Sequence, residues 1–95
     1  MSKPAILIIE DSASLALGFA AQLEEAGYEG ALAATLAEAR VALANTRFSA
    51  ALLDLQLPDG DGLSLLEQRD ETSPAFVVIT ADGSLSRAIA AMRLG

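Results

Sequence analysis

The sequence contains no cysteine, no histidine and no tryptophan, and these absences exclude several kinds of chemistry. Without cysteine there are no disulfides, no thiolate nucleophiles and no cysteine-held metals. Without histidine there is no histidine–carboxylate catalysis and no zinc site of the usual kind. Any catalysis or ligand binding must therefore depend on carboxylates, hydroxyls, the few cations and a bound metal.

Positive charge is also scarce. The chain has 6 lysines and arginines against 13 aspartates and glutamates, and its formal net charge is -7. Non-specific binding to nucleic acid needs cations that displace counterions from the phosphates. We therefore expect no direct binding of nucleic acid by this domain.

Long apolar segments are missing as well. The first apolar run, residues 5–9, is far too short to span a bilayer, and Glu10 and Asp11 follow it at once. No segment has the apolar length and cleavage site of a secretory signal. We expect no membrane association and a cytoplasmic location.

The 95 residues are 53% hydrophobic, which suits one small domain with a single core. Three apolar runs of the kind found in strands buried on both faces, and one weaker segment that contains Gly30 and several alanines, alternate with stretches of helical periodicity. The predicted strands are residues 5–9, 28–33, 48–53 and 76–80. The predicted helices are residues 14–26, 35–44, 63–70 and a last one from residue 84. This alternation predicts an α/β fold with a parallel sheet and helices on both faces.

Two local patterns add detail to the helices. Leu15, Phe19 and Leu23 recur at helical spacing, which predicts the buried face of the first helix. Thr35 and Glu38 fit a capping box at the start of the second helix.

The acids of segment 57–62 fit exposed turns. This segment lacks the full spacing and the terminal glutamate of a calcium-binding loop.

Reactive side chains stand at the ends of three predicted strands. Glu10 and Asp11 follow the first strand, Asp54 follows the third, and Thr80 ends the fourth. Ligands of open α/β sheets bind beyond the carboxyl ends of the strands. If the first and third strands are neighbours, the three acids converge, and such a cluster needs a counter-charge. Oxygen ligands suit Mg²⁺, and a carboxylate beside that ion can act as a nucleophile and form an aspartyl phosphate.

Each of these acids taken alone would fit a helix cap or a solvated loop better than a functional site. All three at one edge, with the Thr80 hydroxyl, favour a site. The residues concerned resemble the receiver domain of bacterial two-component response regulators. Segment 8–11 is similar to that family's first strand and acidic pair, segment 53–62 to its phosphoacceptor strand and loop, and segment 78–81 to its fourth strand and switch hydroxyl.

The resemblance extends through the whole chain and implies a three-layer, flavodoxin-like fold with strand order 2-1-3-4. It implies that Asp54 is the phosphoacceptor and that Thr80 is the switch residue. The implied Mg²⁺ ligands are Glu10, Asp11, Asp54 and the backbone carbonyl of Gln56. The implied partner is a sensor histidine kinase or a phosphotransfer protein, and the domain is not expected to be an enzyme. Segments 80–84 and 90–95 resemble receivers of sigma-54-dependent activators.

The family has a fifth strand and a fifth helix beyond the position of Gly95. We therefore expect residues 1–95 to form a receiver domain that is incomplete at its C-terminus and lacks the family's phosphoryl-contacting lysine. The fourth strand would then lie at the sheet edge, where unpaired backbone groups favour self-association of the chain.

Three functions stay open at this point. The strand-end acids favour a phosphoacceptor receiver domain, whereas the missing lysine favours a phosphorylation-incompetent fragment that acts as a protein-interaction module. The third is a small Mg²⁺-dependent phosphotransfer enzyme. A hydrolase with an aspartate nucleophile would need a second acid two residues after Asp54, and Gln56 stands there. The sequence therefore disfavours the third.

Overall fold

The computed structural model describes residues 3–79 of the chain. Its elements in chain order are β1 (Ala5–Ile9), α1 (Ala13–Glu25), β2 (Glu29–Ala33), α2 (Leu36–Asn45), β3 (Ala50–Leu53), β4 (Gln56–Leu57), β5 (Gly60–Asp61), α3 (Leu63–Glu67) and β6 (Ala75–Val78). Four strands form a parallel sheet in the order β2-β1-β3-β6. Because β6 is the fourth predicted strand, the predicted order is confirmed. Thr80 and the last predicted helix lie outside the described residues.

The register of the sheet brings the carboxyl ends of its four strands to the same level. Ile9, the last residue of β1, is in register with Ala33 of β2 and with Leu53 of β3. Leu53 is in turn in register with Val78, the last residue of β6. The residues that follow these strands therefore leave the sheet at one edge.

Helices cover both faces of the sheet, so the fold has three layers. On one face Ile6 and Ile8 pack with Phe19 and Leu23 of α1. On the other face the core cluster holds Leu7 and Ile9 of β1 with residues of α2 and α3, namely Leu36, Ala39 and Leu65. Residues 6–9 of β1 are completely buried, as their continuous apolar run predicts. Each such side chain stabilises the fold by about 1.5–3 kcal/mol relative to exposure.

The predicted inward face of α1 was wrong at one residue. Leu15 is 38% exposed, and the buried residues are Ala16, Phe19 and Leu23. Leu15 precedes Ala16 by one residue, which is ~100° around a helix, and this rotation carries its side chain to the flank. The helix also begins one residue earlier than predicted, because the Ser12 hydroxyl accepts the Leu15 N–H at 3.4 Å and caps the first turn.

The helix α3 is shorter than predicted, since it ends at Glu67 instead of continuing to residue 70. The reason is a turn that Asp70 organises: its carboxylate accepts the Thr72 N–H at 2.8 Å, and its own N–H donates to the Ser73 hydroxyl at 3.0 Å. Strand β3 likewise begins later than predicted, at Ala50. None of the helices in residues 3–79 combines the length and apolar character that crossing a membrane requires.

Candidate functional site

The structure brings together the three acids that follow β1 and β3. Because these strands are neighbours, backbone pairing continues past their ends: the Asp54 N–H donates to the Ile9 carbonyl at 3.0 Å. Oxygens of Glu10, Asp11 and Asp54 lie within 4.8 Å of one another. Glu10 is buried, Asp54 is half-buried and Asp11 is exposed. The convergence predicted from the strand ends is therefore confirmed.

Crowding of these carboxylates changes the proton affinity of Glu10. Burial raises its pKa most, and a hydrogen bond with Asp54 and the charge of that group raise it further, to about 7 from an ordinary value of 4.5. The Ser12 N–H, 3.4 Å from Glu10 Oε1, opposes this shift. Near neutral pH the cluster therefore favours a proton, or a cation in its place.

No lysine or arginine of the described residues contributes to the pKa shift of Glu10. The groups that shift this pKa are two carboxylates and a backbone amide. Lys3 instead forms an ion pair with Glu24 at 3.1 Å. Since Lys3 precedes β1, it lies at the amino end of the sheet, away from the cluster.

The donor atoms of the cluster suit a hard divalent cation. Three carboxylates, each offering an oxygen within 4.8 Å of the others, form an all-oxygen set of the kind that Mg²⁺ prefers. Gln56, whose carbonyl was predicted as a further ligand, follows Asp54 by two residues and begins β4. Thr80, the predicted switch residue, lies outside the part of the chain that the structure describes.

The loop after Asp54 is more ordered than the predicted exposed turn. Gln56 pairs with Asp61 and Leu57 with Gly60 in an antiparallel hairpin, β4–β5. The Gly62 N–H then donates to the Leu55 carbonyl at 2.8 Å and closes the loop.

Gly62 allows an unusually close approach of backbone to the site. A Cβ at this position would lie 2.7 Å from the carbonyl oxygen of Asp54 and 3.1 Å from the Cα of Leu55. Both neighbours are backbone atoms, which cannot move aside as a flexible side chain would. The residue after the hairpin must therefore be glycine for the loop to close on Asp54 in this way.

Asp59, at the tip of the hairpin, has a structural role that sequence reasoning missed. Its carboxylate accepts the Leu36 N–H at 2.8 Å and the Ala37 N–H at 3.1 Å, at the N-terminus of α2. These two bonds, with the Leu36 bond the larger effect, hold the pKa of Asp59 below its ordinary value. Asp59 lies in an exposed turn as predicted, but its contact with α2 was not predicted, because no local pattern signals a contact over this sequence separation.

A cavity of about 470 Å³ lies at the other end of the sheet, between the end of α2 and segment 70–76. Phe48 and Phe76, near the beginnings of β3 and β6, form part of its wall. None of the three clustered acids lines it, and ligands of open α/β sheets bind at the opposite edge. The acidic edge is therefore the candidate functional site.

The sequence matches the response regulator receiver domain over residues 6–95. The chain therefore belongs to the response regulator receiver family, as its motifs predict.

Curated relatives are regulatory proteins of bacteria. The photosynthetic apparatus regulatory protein RegA of Rhodovulum sulfidophilum is 35% identical over 95 residues, which are 97% of this chain and 51% of RegA. The response regulator protein PilR of Pseudomonas aeruginosa is 36% identical over 98 residues, covering 100% of this chain and 22% of PilR. The chain thus spans about half the length of RegA and less of PilR.

Solved structures agree with this fold. A CheY-like receiver domain from Methylobacillus flagellatus superposes with a TM-score of 0.74 at 31% identity, over 81% of this chain and 69% of that one. The MaeR response regulator bound to beryllium trifluoride gives a TM-score of 0.75 at 29% identity, over 97% of this chain and 79% of that one. The predicted flavodoxin-like architecture is therefore confirmed.

Proposed function

We propose that the chain is a phosphoacceptor receiver domain in which Asp54 takes a phosphoryl group from a histidine kinase or a phosphotransfer protein. The observation that supports this most is the convergence of Glu10, Asp11 and Asp54 within 4.8 Å at the carboxyl edge of the sheet. Membership of the receiver family supports the same assignment.

In the proposed reaction an oxygen of the Asp54 carboxylate attacks the phosphorus of a phosphohistidine. The oxygen–phosphorus bond forms as the phosphorus–nitrogen bond breaks, and the electron pair of that bond returns to the imidazole nitrogen. The product is an acyl phosphate on Asp54. Because Asp54 attacks as a carboxylate, it gives up no proton in this step. The chain acts here as the acceptor of a group and not as a turnover enzyme.

The remaining residues of the site have supporting roles in this proposal. Glu10, Asp11, Asp54 and the Gln56 carbonyl would hold Mg²⁺. When bound, the ion supplies positive charge that offsets the charge on the transferring phosphoryl oxygens. The Thr80 hydroxyl would donate a hydrogen bond to the phosphoryl group once it is attached to Asp54.

The wider context forms part of the same proposal. We place the domain in the cytoplasm, where a histidine kinase would present its phosphohistidine, and in a transcription regulator of the sigma-54-dependent type. Self-association of the chain also stays a prediction. Light scattering at micromolar concentration tests it, and a monomer at that concentration would contradict it.

Labelling with a small-molecule phosphoryl donor tests the phosphoacceptor role. With acetyl phosphate and Mg²⁺ we expect slow and incomplete labelling, because the family's phosphoryl-contacting lysine is not among residues 1–95. We expect no label in Asp54→Asn and none when EDTA is present from the start of the reaction. Glu67→Gln is the matched control, because Glu67 is an exposed acid on α3 and should leave labelling unchanged. Equal labelling of Asp54→Asn would overturn the assignment. A folded chain that binds its kinase without accepting phosphate would support the interaction-module alternative.

A further inference from the structure

The tip of the loop that follows Asp54 is fastened to a different part of the chain. Both oxygens of the Asp59 carboxylate accept backbone N–H groups of α2, from Leu36 at 2.8 Å and from Ala37 at 3.1 Å. These residues precede Asp59 by 23 and 22 positions. The first N–H groups of a helix have no partner within the helix, and a carboxylate there also meets the positive end of the helix dipole.

Packing reinforces this connection. Leu57, at the base of the hairpin, is buried in the same core cluster as Leu36. Gly60 lies so close to Leu36 that a Cβ on it would be 2.9 Å from Leu36 Cδ1, and its φ of +147° excludes most other residues. Hydrogen bonds and apolar contacts therefore hold the hairpin tip against the first turn of α2.

The helix α2 already has a cap of its own. The Thr35 hydroxyl accepts the Glu38 N–H at 3.1 Å, and the Glu38 carboxylate accepts the Ala34 N–H at 3.3 Å. This local arrangement provides the usual N-terminal capping of the helix. What the Asp59 contact adds is a link between α2 and the loop that carries the candidate site.

The loop is fixed at three points as a result. Its start is held where the Asp54 N–H donates to Ile9, and its end is held where Gly62 donates to Leu55 at 2.8 Å. Asp59 holds the tip, three residues after Gln56. Without the Asp59 bonds, the pairing of β4 with β5 and the burial of Leu57 would remain, but the tip would lose its hydrogen bonds to α2 and could shift relative to that helix.

We propose that Asp59 is a positioning residue for the acidic site. It fixes the loop so that the Gln56 carbonyl and the Asp54 carboxylate keep the orientation that metal binding and phosphorylation require. The inference rests on the proposed function, since it concerns the same site. Asp59 is not one of the clustered acids. It would act on the site indirectly, because it holds the backbone of the loop in place.

A comparison of Asp59→Ala with Thr35→Ala in the full chain tests this role. Each variant removes capping interactions from the N-terminus of α2, but only Asp59→Ala breaks bonds to the loop. We expect Asp59→Ala to weaken Mg²⁺ binding, measured by calorimetric titration, by roughly 10-fold, as is typical when a group that orients metal ligands is removed. Thr35→Ala should bind Mg²⁺ as the unmodified chain does.

A second readout needs no metal. Hydrogen exchange of the Gly62 amide reports how often the loop opens, and we expect Asp59→Ala to accelerate it at least several-fold more than Thr35→Ala does. Asp59→Asn retains one acceptor oxygen and should restore part of both effects. Equal exchange rates in Asp59→Ala and Thr35→Ala, with equal Mg²⁺ affinities, would overturn the positioning role. A failure of the unmodified chain to bind Mg²⁺ would instead count against the proposed function, and the exchange rates would still decide whether Asp59 holds the loop.

Discussion

Glu10 and Asp54 lie side by side at the ends of neighbouring strands, and burial together with the Asp54 carboxylate raises the pKa of Glu10 to about 7. The sheet register brings the two residues close together, because the residues before them, Ile9 and Leu53, are directly paired. A carboxylate in this position is costly to ionise unless a cation lies beside it. The three acids therefore destabilise the site when all of them are ionised, and a divalent cation among them would offset this repulsion.

Removal of individual acids should abolish metal binding. We expect the chain to bind Mg²⁺ weakly, and we expect Asp11→Ala and Asp54→Ala to bind none that titration calorimetry detects, because each removes one of three convergent oxygens. Glu67→Gln, which removes an exposed acid of α3, should bind as the unmodified chain does. An unchanged Mg²⁺ affinity in Asp11→Ala would contradict the ligand assignment.

Replacement of Glu10 should have opposite effects on stability and on metal binding. Between its ordinary pKa of 4.5 and about 7, the folded chain holds a proton on Glu10 that the unfolded chain releases. Stability of the metal-free chain should therefore fall as the pH rises through this range. Glu10→Gln removes the charge, so it should raise the Tm at pH 8 in EDTA while it weakens Mg²⁺ binding. Thermal unfolding at pH 5 and pH 8 checks this, and a lower Tm for Glu10→Gln at pH 8 would contradict it.

Asp59 should contribute to the acid sensitivity of the fold in the opposite sense. Hydrogen bonds from α2, the Leu36 bond first, lower its pKa below the ordinary 3.8. Its stabilising effect is therefore fully present above about 3.8 and is lost as the pH falls through the lower, folded-state pKa. The free energy of unfolding, measured with urea between pH 5 and pH 2, should fall less steeply with decreasing pH in Asp59→Ala than in the unmodified chain. Part of this slope should remain, because the pKa of Asp70 is also lowered in the folded chain. Thr35→Ala serves as the control and should retain the full slope.

Two glycine substitutions should change stability in opposite directions. In Gly62→Ala the added Cβ would lie 2.7 Å from the Asp54 carbonyl oxygen, and the strain should cost about 1–3 kcal/mol. Gly18 lies in α1 with no atom within 4 Å of an added Cβ, so Gly18→Ala should stabilise the chain by about 1 kcal/mol. Urea unfolding measures both. An unfolding free energy of Gly62→Ala equal to that of the unmodified chain would show that the loop backbone shifts at no cost.

The sequence by itself determined the four strands of the parallel sheet and the edge at which the acids stand, whereas the strand order came from the resemblance to the receiver family. Continuous apolar runs such as residues 6–9 identify buried strands because periodicity is a local property of the chain. The acids that follow those runs are then placed by the direction of the strands alone. The capping box at Thr35 was predictable for the same reason, since its partner Glu38 is three residues away.

Only the tertiary structure decided which distant groups meet. The exposure of Leu15, the hydrogen bond between Asp59 and Leu36 and the raised pKa of Glu10 all depend on contacts between segments far apart in sequence. The pattern around Asp59 is that of any exposed turn, and nothing within several residues distinguishes it. Its function follows from the close packing of the hairpin on α2, because a partner 23 residues away is selected by the fold as a whole and not by local propensity.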